Sequence, residues 1–280
     1  MTNDYILYVG ESRDFSDHWL TKVIGKQTKL PVIVLKPDIR NIGIPHLPVL
    51  AVNRLYTSAV GRYGNYNMMK SIKKLISLEK KKVPLINSSR GYLMDLDRNQ
   101  QFVFFKKHNL PYIQTSRVTS VLQGREAIIF PCVLKSNPSG RNKTLKIIND
   151  RKELSLIPDT VRRKGILQPL IKDTVCYRTE FVGNWHATYP QQVYFQKNKL
   201  TFHKIYKIIP SPLSRSLRQR VVKLMNDIKI YAFSIEYFQE GKRLNHIVDF
   251  NFTSNYHPTF IKKTNGQLEK SWQKLIKEKL

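Results

Sequence analysis

The segment from Ile230 to Asn255, IYAFSIEYFQEGKRLNHIVDFNFTSN, constrains this chain more than any other. Residues 230–238 and 246–252 are rich in Ile, Tyr, Phe and Val, and the link between them carries Gly241 among polar residues, the pattern of a β-hairpin. Asp249 and Asn251 stand two apart, so on a strand both side chains leave the same face. A turn centred near Gly241 and Lys242 sets Glu236 opposite Ile247 and diagonal to Asp249, again on that face. Two carboxylates and one amide would then converge, a set of hard oxygen donors suited to Mg²⁺ held partly by protein and partly by substrate phosphate. The alternative is an ordinary exposed hairpin that happens to carry acids.

The run SIEYF, a short loop and then HIVDFNFTSN resembles the metal-binding end of ATP-grasp enzymes, most of all bacterial RimK-like ligases. That resemblance implies Glu236, Asp249 and Asn251 as ligands of Mg²⁺, with Mn²⁺ as a substitute ion. It continues elsewhere in consistent order. NRLYTSAVGR (53–62), a helix ending in Leu78-Glu79 and PLINSS (84–89) are similar to the N-terminal domain of these ligases, where a strand ending in Arg precedes a helix and an Ile-Asn-Ser run. Arg98 stands where relatives carry a phosphate-contacting Lys. NLPYIQTSRV (109–118) is similar to the loop and strand that open the central domain.

IIFPCVLKSNPSGRNKTLKIIND (128–150) resembles the hairpin that covers the phosphates. It implies that Lys135 reaches the α-phosphate and that Gly140, Arg141 and Lys143 fold over the rest. Relatives hold several glycines in this loop, letting backbone N–H groups approach phosphate closely, whereas here Gly140 stands alone and Arg141 and Lys143 supply charge instead. GILQPLIKDTVCYRTEFVGN (165–184) is similar to the adenine-binding linker and the strand after it. Gln168, Pro169, Leu170 and Ile171 would line the adenine pocket, and Arg178 would grip the γ-phosphate, a task suited to a planar, permanently charged guanidinium. The structural alternative for Arg178 is a pair with Glu180, two residues away on the same strand face.

The implied fold is ATP-grasp, mixing α/β and α+β layers: an N-terminal α/β (pre-ATP-grasp) domain over 1–92, a central subdomain over 93–168 and a C-terminal subdomain with the metal site over 169–280. The implied activity is ATP- and Mg²⁺-dependent joining of a carboxylate to an amine through an acyl phosphate, with an anionic small-molecule, peptide or protein carboxylate as substrate. Inositol phosphate kinases of the ATP-grasp type supply a second resemblance through Asp-x-Asn and through a Tyr before a basic residue, as in Cys176-Tyr177-Arg178. A non-catalytic nucleotide or anion binder is a third alternative. Nucleic acid is an anion this chain could attract, yet no RNA- or DNA-binding signature occurs.

Hydrophobic patterning fills in the rest. YILYV (5–9), LPVIVL (30–35) and PVLAV (48–52) read as buried strands of an α/β layer. Asn67 to Glu79 places Met68, Ile72, Leu75 and Ile76 on one helical face, and Arg98 to His108 turns Phe102 and Phe105 inward. After Asn184 the Tyr-, Gln- and Lys-rich stretch reads as irregular. A helix is expected over Ser211 to Ile228 with Pro212 in its first turn, and another over Gln267 to Leu280 using Leu268, Trp272, Leu275 and Ile276.

The formal charge of +28 draws anions. From Lys204 to Lys229 seven Lys or Arg face one acid, Asp227, in a segment that leads into the hairpin, which suggests a seat for an anionic co-substrate beside the γ-phosphate. The composition is that of a globular protein, 41% hydrophobic and 11% aromatic. No membrane span or signal peptide is read, and the two cysteines, Cys132 and Cys176, sit in apolar runs as buried free thiols, so a cytoplasmic location is expected.

Overall fold

In the computed structural model, which describes residues 4–11, 14–37, 46–136, 145–196, 199–240 and 243–280, the apolar runs near the N-terminus form one parallel sheet. Its strands are β1 (Ile6–Val9), β2 (Val32–Leu35), β3 (Leu50–Asn53) and β4 (Leu85–Ile86), in the order β2-β1-β3-β4. Helix α1 (Phe15–Thr28) links β1 to β2 and is capped by Asp14, whose carboxylate accepts from the Asp17 N–H. Helix α2 (Val60–Lys80) links β3 to β4 and buries Met68, Ile72 and Leu75 as the 3.6-residue spacing requires. It starts earlier than the sequence suggests because Gly64, at φ 75°, joins two helical pieces through a conformation other residues avoid.

The chain then forms α3 (Ser89–Leu96) and α4 (Arg98–Lys107), with Asp97 capping α4 and Phe105 wholly buried. Short elements follow: β5 (Ser116–Arg117), α5 (Val118–Leu122), β6 (Cys132–Ser136), β7 (Leu145–Ile148), α6 (Arg151–Ser155) and α7 (Asp159–Arg162). Longer ones complete the chain: β8 (Gly165–Pro169), β9 (Val175–Val182), β10 (Trp185–Gln196), β11 (Lys199–Lys204), α8 (Arg215–Asp227), β12 (Ala232–Glu240), β13 (Arg243–Asn251), α9 (Pro258–Lys263) and α10 (Gln267–Lys279). Nine strands join edge to edge in the order β13-β12-β9-β10-β11-β7-β6-β8-β5.

Two expectations are corrected here. The stretch after Asn184 is not irregular: β10 pairs with β9 from Trp185 to Gln192 and with β11 along its second half, because its Tyr, Thr, Val and Phe suit a pleated surface whatever polar residues lie between them. Helix α8 begins at Arg215 and not at Ser211. The Ser214 hydroxyl accepts from the Leu217 N–H at 3.2 Å and fixes the start there, leaving Pro212 outside the helix.

Packing gives the nine-stranded sheet two unlike faces. On one, α4 and α8 lay Phe105, Leu217, Val221 and Met225 against Phe181, Phe233, Ile235 and Phe250. On the other, α1 and α10 bring Leu20, Ile24, Trp272 and Ile276 onto Val182, Ala187 and Ala232. Further along that second face lie the charged residues of the hairpin and of β9.

The parallel sheet is clasped to the hairpin by residues of the Ile-Asn-Ser run. Asn87, at φ 64° and 1% exposed, donates from Nδ2 to the carbonyls of Ala232 (2.6 Å) and Phe252 (2.9 Å) and accepts at Oδ1 from the N–H groups of Tyr231 (2.8 Å) and Ala232 (3.0 Å). Ser88 donates to the Ile228 carbonyl, and Ser89 donates from both N–H and hydroxyl to Glu79. Arg54, wholly buried at the end of β3, donates to Ser16 Oγ and Tyr56 Oη. Those two hydroxyls in turn hold the Tyr256 N–H and the Ser254 carbonyl, just beyond Asn251. Among the described residues no helix is long and apolar enough to cross a membrane, and both cysteines are buried and free.

Candidate nucleotide and metal site

Strand register assembles the site. Glu236 on β12 pairs with Arg178 on β9 and with Asp249 on β13, while Ser234, two residues back, pairs with Glu180 and Asn251. Partners directly opposite each other in antiparallel strands share a face, so all six side chains leave the same side of the sheet. The register corrects the expected pairing of Glu236 with Ile247. A β-bulge at Val248 adds one residue to β13, so Tyr237 meets Ile247 and Glu236 lies directly across from Asp249.

Hydrogen bonds then fix the charges. Arg178 donates from Nε to Glu180 Oε1 and from Nη1 to Glu236 Oε1, each at 2.7 Å, so the expected intrastrand pair with Glu180 forms alongside a second carboxylate contact. Arg98, at the start of α4, pairs with Asp249, whose other oxygen accepts from Asn251 Nδ2 at 3.3 Å. Lys135, near the end of β6, donates from Nζ to the carbonyl of the bulged Val248 at 3.3 Å. Arg98, Lys135, Arg178, Glu236, Asp249 and Asn251 are thereby gathered in one place from four separate parts of the chain.

Electrostatics agree with that crowding. Burial and the neighbouring Arg98 pull the Lys135 ammonium down to about 7. Burial opposes charge on Glu236 as well, but Arg178, Lys204 and Lys135 outweigh it and hold this carboxyl below its ordinary value. Lys204, which opens the basic segment expected beside the γ-phosphate, does reach this face. On β11 it follows the inward-facing Leu200 and Phe202 at two-residue steps, and it pairs across to Gln191. That alternation was the available signal. Burial and Arg178 lower its pKa.

The donor set fits a divalent cation of the Mg²⁺ type. Among the described residues no three His, Cys, Asp or Glu side chains form a protein-only cage. Two carboxylates and an amide oxygen suit an ion that keeps some water and takes phosphate oxygens as its remaining ligands. Glu180 Oε2 and Ser234 Oγ are buried on the same face without a hydrogen-bond partner, polar atoms that a bound group or its water would satisfy.

The other expected contacts fall as follows. Gln168 is buried on β8 and donates to Thr115 Oγ1 at 2.9 Å; the Leu170 N–H is taken by the Pro131 carbonyl. Pro169, Leu170 and Ile171 are partly exposed, and β8 runs beside β6 with Ile166 opposite Lys135. Gly140, Arg141 and Lys143 lie outside the described residues. The basic segment 204–229 does not act as one patch: Lys204 faces Arg178, whereas Arg215 and Arg218 line a cleft with Phe181 on the opposite face of the sheet. The reason is α8 itself, whose apolar stripe docks on that far face and carries its arginines with it.

No protein-family model and no curated protein sequence matches the chain. Solved structures do. The ATP-grasp ligase PsnB complexed with a phosphomimetic variant of minimal precursor, Mg and ADP superposes with a TM-score of 0.68 at 12% identity, over 99% of this chain and 100% of that one. The Chryseobacterium gregarium RiPP-associated ATP-grasp ligase in complex with ADP and a leader and core peptide gives 0.68 at 13% identity, over 99% of this chain and 97% of that one. A RimK domain ATP-grasp protein from Sphaerobacter thermophilus gives 0.65 at 13% identity, over 98% and 99%. Likeness at this identity over essentially the whole of both chains establishes the fold.

Proposed function

From the ATP-grasp fold of this chain, we propose that it is an ATP- and Mg²⁺-dependent carboxylate–amine ligase acting through an acyl phosphate. The observation that carries this reading is the register of Arg178, Glu236 and Asp249, which sets two carboxylates among Arg98, Lys135, Arg178 and Lys204 on one sheet face. Glu236, Asp249 and Asn251 would hold Mg²⁺, which when bound offsets charge on the polyphosphate. Lys135 would meet the α-phosphate, and Arg178 the γ-phosphate. Leu170 and Ile171 would offer apolar side chains to the adenine, and Gln168, tied to Thr115, would hold β8 in place beneath it.

In the reaction a substrate carboxylate oxygen attacks the γ-phosphorus. The bond from that phosphorus to the β,γ-bridging oxygen breaks, and ADP leaves. The amine nitrogen then attacks the acyl carbon, the C–O bond to phosphate breaks with its electron pair going to phosphate, and the nitrogen loses a proton. Arg178 contributes a fixed positive charge, and Lys135 and Lys204 would hold their protons against the phosphate oxygens beside them, so catalysis is mainly positioning and electrostatics. The matched structures that hold precursor peptides favour a peptide or protein carboxylate as substrate, and the named structures being ligases favours ligation over phosphorylation of an alcohol.

Hydroxylamine tests this reading, because it intercepts acyl phosphates to give hydroxamates. With acidic peptides as substrate, hydroxamate and ADP should form together and only when ATP and Mg²⁺ are both present. ADP release with phosphate transferred to an inositol phosphate and no hydroxamate would support the kinase instead.

A further inference from the structure

The cleft on the far face of the sheet is left unused by the site just described. It encloses about 720 Å³ between α8 and the β9–β10 hairpin, within the size range of ligand pockets. Phe181 and Val222 form its apolar floor, and Arg215, Arg218 and Lys223 rim it on the helix side. A second cleft of about 350 Å³ shares Asn184 and Asn226 with the first and continues past Lys274 and Lys279. Together they make one groove with five cations along it, against Asp227 and Glu278.

These cations differ in how far they are engaged. Lys223 pairs with Asp227 at 3.1 Å, Lys274 with Glu278 at 3.9 Å, and Lys279 sits 3.6 Å from the centre of the Tyr231 ring. Arg218 donates to the Leu213 carbonyl. Arg215, exposed at the groove mouth, is held by none of these pairings. Two guanidinium forks one helical turn apart suit successive carboxylates, since each can take one in a bidentate pair. Side-chain amides at Asn184, Gln219 and Asn226 suit a peptide backbone.

We infer that this groove docks an acidic peptide segment of the macromolecular substrate, away from the reacting carboxylate, an inference that rests on the ligase reading above. Charge complementarity selects the occupant: the spaced guanidinium groups suit carboxylates and the side-chain amides suit a peptide backbone, while of the rings beside the groove Phe181 is 1% exposed and Tyr231 is covered by the Lys279 ammonium. The first cleft opens on the face opposite Arg178 and Glu236, and the second carries the groove past the β9–β10 turn to α10, so the docked segment anchors the substrate while a different segment enters the site. Binding at two places would raise the local concentration of the reacting group without any new contact at the γ-phosphate.

The test uses the full chain and a fluorescein-labelled peptide alternating Glu and Leu, read by fluorescence anisotropy, with a thermal shift for ATP·Mg²⁺ on the same samples. Arg215→Glu with Arg218→Glu should weaken peptide binding by about tenfold or more, the neutral pair Arg215→Gln with Arg218→Gln by less, and the ATP shift should stay as in the parent. Lys73→Glu with Lys80→Glu, exposed on α2, should leave peptide binding within about twofold. Equal loss in that control would mean the peptide reads only the overall +28 charge and would overturn the inference. So would undetectable peptide binding while ATP still shifts the melt, or displacement of the peptide by a single-stranded oligonucleotide at lower concentration than by unlabelled peptide. Loss of the ATP response in the parent chain would instead strike the ligase reading.

Discussion

Replacing Asn87 by Ala tests how the parallel sheet is locked to the β12–β13 hairpin. The Asn87 side chain makes four hydrogen bonds of 2.6 to 3.0 Å to the backbone of residues 231, 232 and 252 while 1% exposed. At about 1 kcal/mol net for each bond, and more where a buried partner is left unsatisfied, the loss is about 4 kcal/mol. Ala at φ 64° adds about 1 kcal/mol of backbone strain, giving about 5 kcal/mol in all. Asn87→Gly removes the same bonds without that strain, though it loosens the unfolded chain, so the two variants should agree within about 1 kcal/mol. Asn87→Asp should also destabilise, because a carboxylate cannot donate to the Ala232 and Phe252 carbonyls. The assay is thermal melting by circular dichroism, where about 5 kcal/mol in a chain of this size corresponds to a fall on the order of 10 °C or more. A fall under about 3 °C for both Ala and Gly, or a Gly variant as stable as the parent, would show that the clasp is not what joins the two layers.

Other substitutions probe other parts of the fold. Gly91→Ala should cost about 1 to 3 kcal/mol in urea unfolding, since a Cβ there would meet Ile230 Cδ1 at 2.5 Å and Phe252 Cβ at 3.2 Å. Trp272→Ala, at a wholly buried position of α10, should cost about 3 to 5 kcal/mol in the same assay, and a loss below about 1 kcal/mol would mean that α10 is not part of the core. Burial lifts Asp95 from 3.8 to about 7 against the pull of Arg98, so the folded chain holds that proton more tightly than the unfolded one. Its contribution to stability is therefore present at low pH and lost as pH rises through about 7; in melts from about pH 5 to pH 8, Asp95→Asn should gain on the parent as pH rises. Cys132, which burial raises to about 12, should resist a thiol reagent at neutral pH until the chain is unfolded.

Much of this was legible in the sequence because it followed from periodicity. Met68, Ile72 and Leu75 on α2 and Leu268, Trp272, Leu275 and Ile276 on α10 are buried as helical spacing requires. The hairpin was legible from its β-branched and aromatic content and its turn residues, but its register was not. A bulge at Val248 leaves no composition signal, and one residue of slip decides whether Glu236 faces Ile247 or Asp249. Strands β10 and β11 were hidden because polar residues interrupt them, and with them the reason that Lys204 of the named basic segment faces Arg178 while Arg215 and Arg218 do not. The INSS run was recognised by resemblance, without a mechanism. The structure supplies one: Ile86 is core, Asn87 clasps the hairpin, and Ser89 docks on Glu79, the acid that ends the preceding helical pattern. Which face α8 would give its arginines to depended on where its apolar stripe docks, and no local pattern encodes that.

The central claim, that Glu236, Asp249 and Asn251 hold Mg²⁺ against a nucleotide polyphosphate, is tested most directly by calorimetric titration of ADP into the chain with and without Mg²⁺. The parent should bind ADP more tightly by about tenfold or more when Mg²⁺ is present. Asp249→Asn should lose most of that gain while its Mg²⁺-free ADP affinity does not fall, and because the buried Arg98 loses its ion-pair partner, the titration is run well below the variant's own melting temperature. A Mg²⁺-dependent gain that survives intact in Asp249→Asn and in Glu236→Gln would contradict the assignment and return the hairpin to an ordinary structural role.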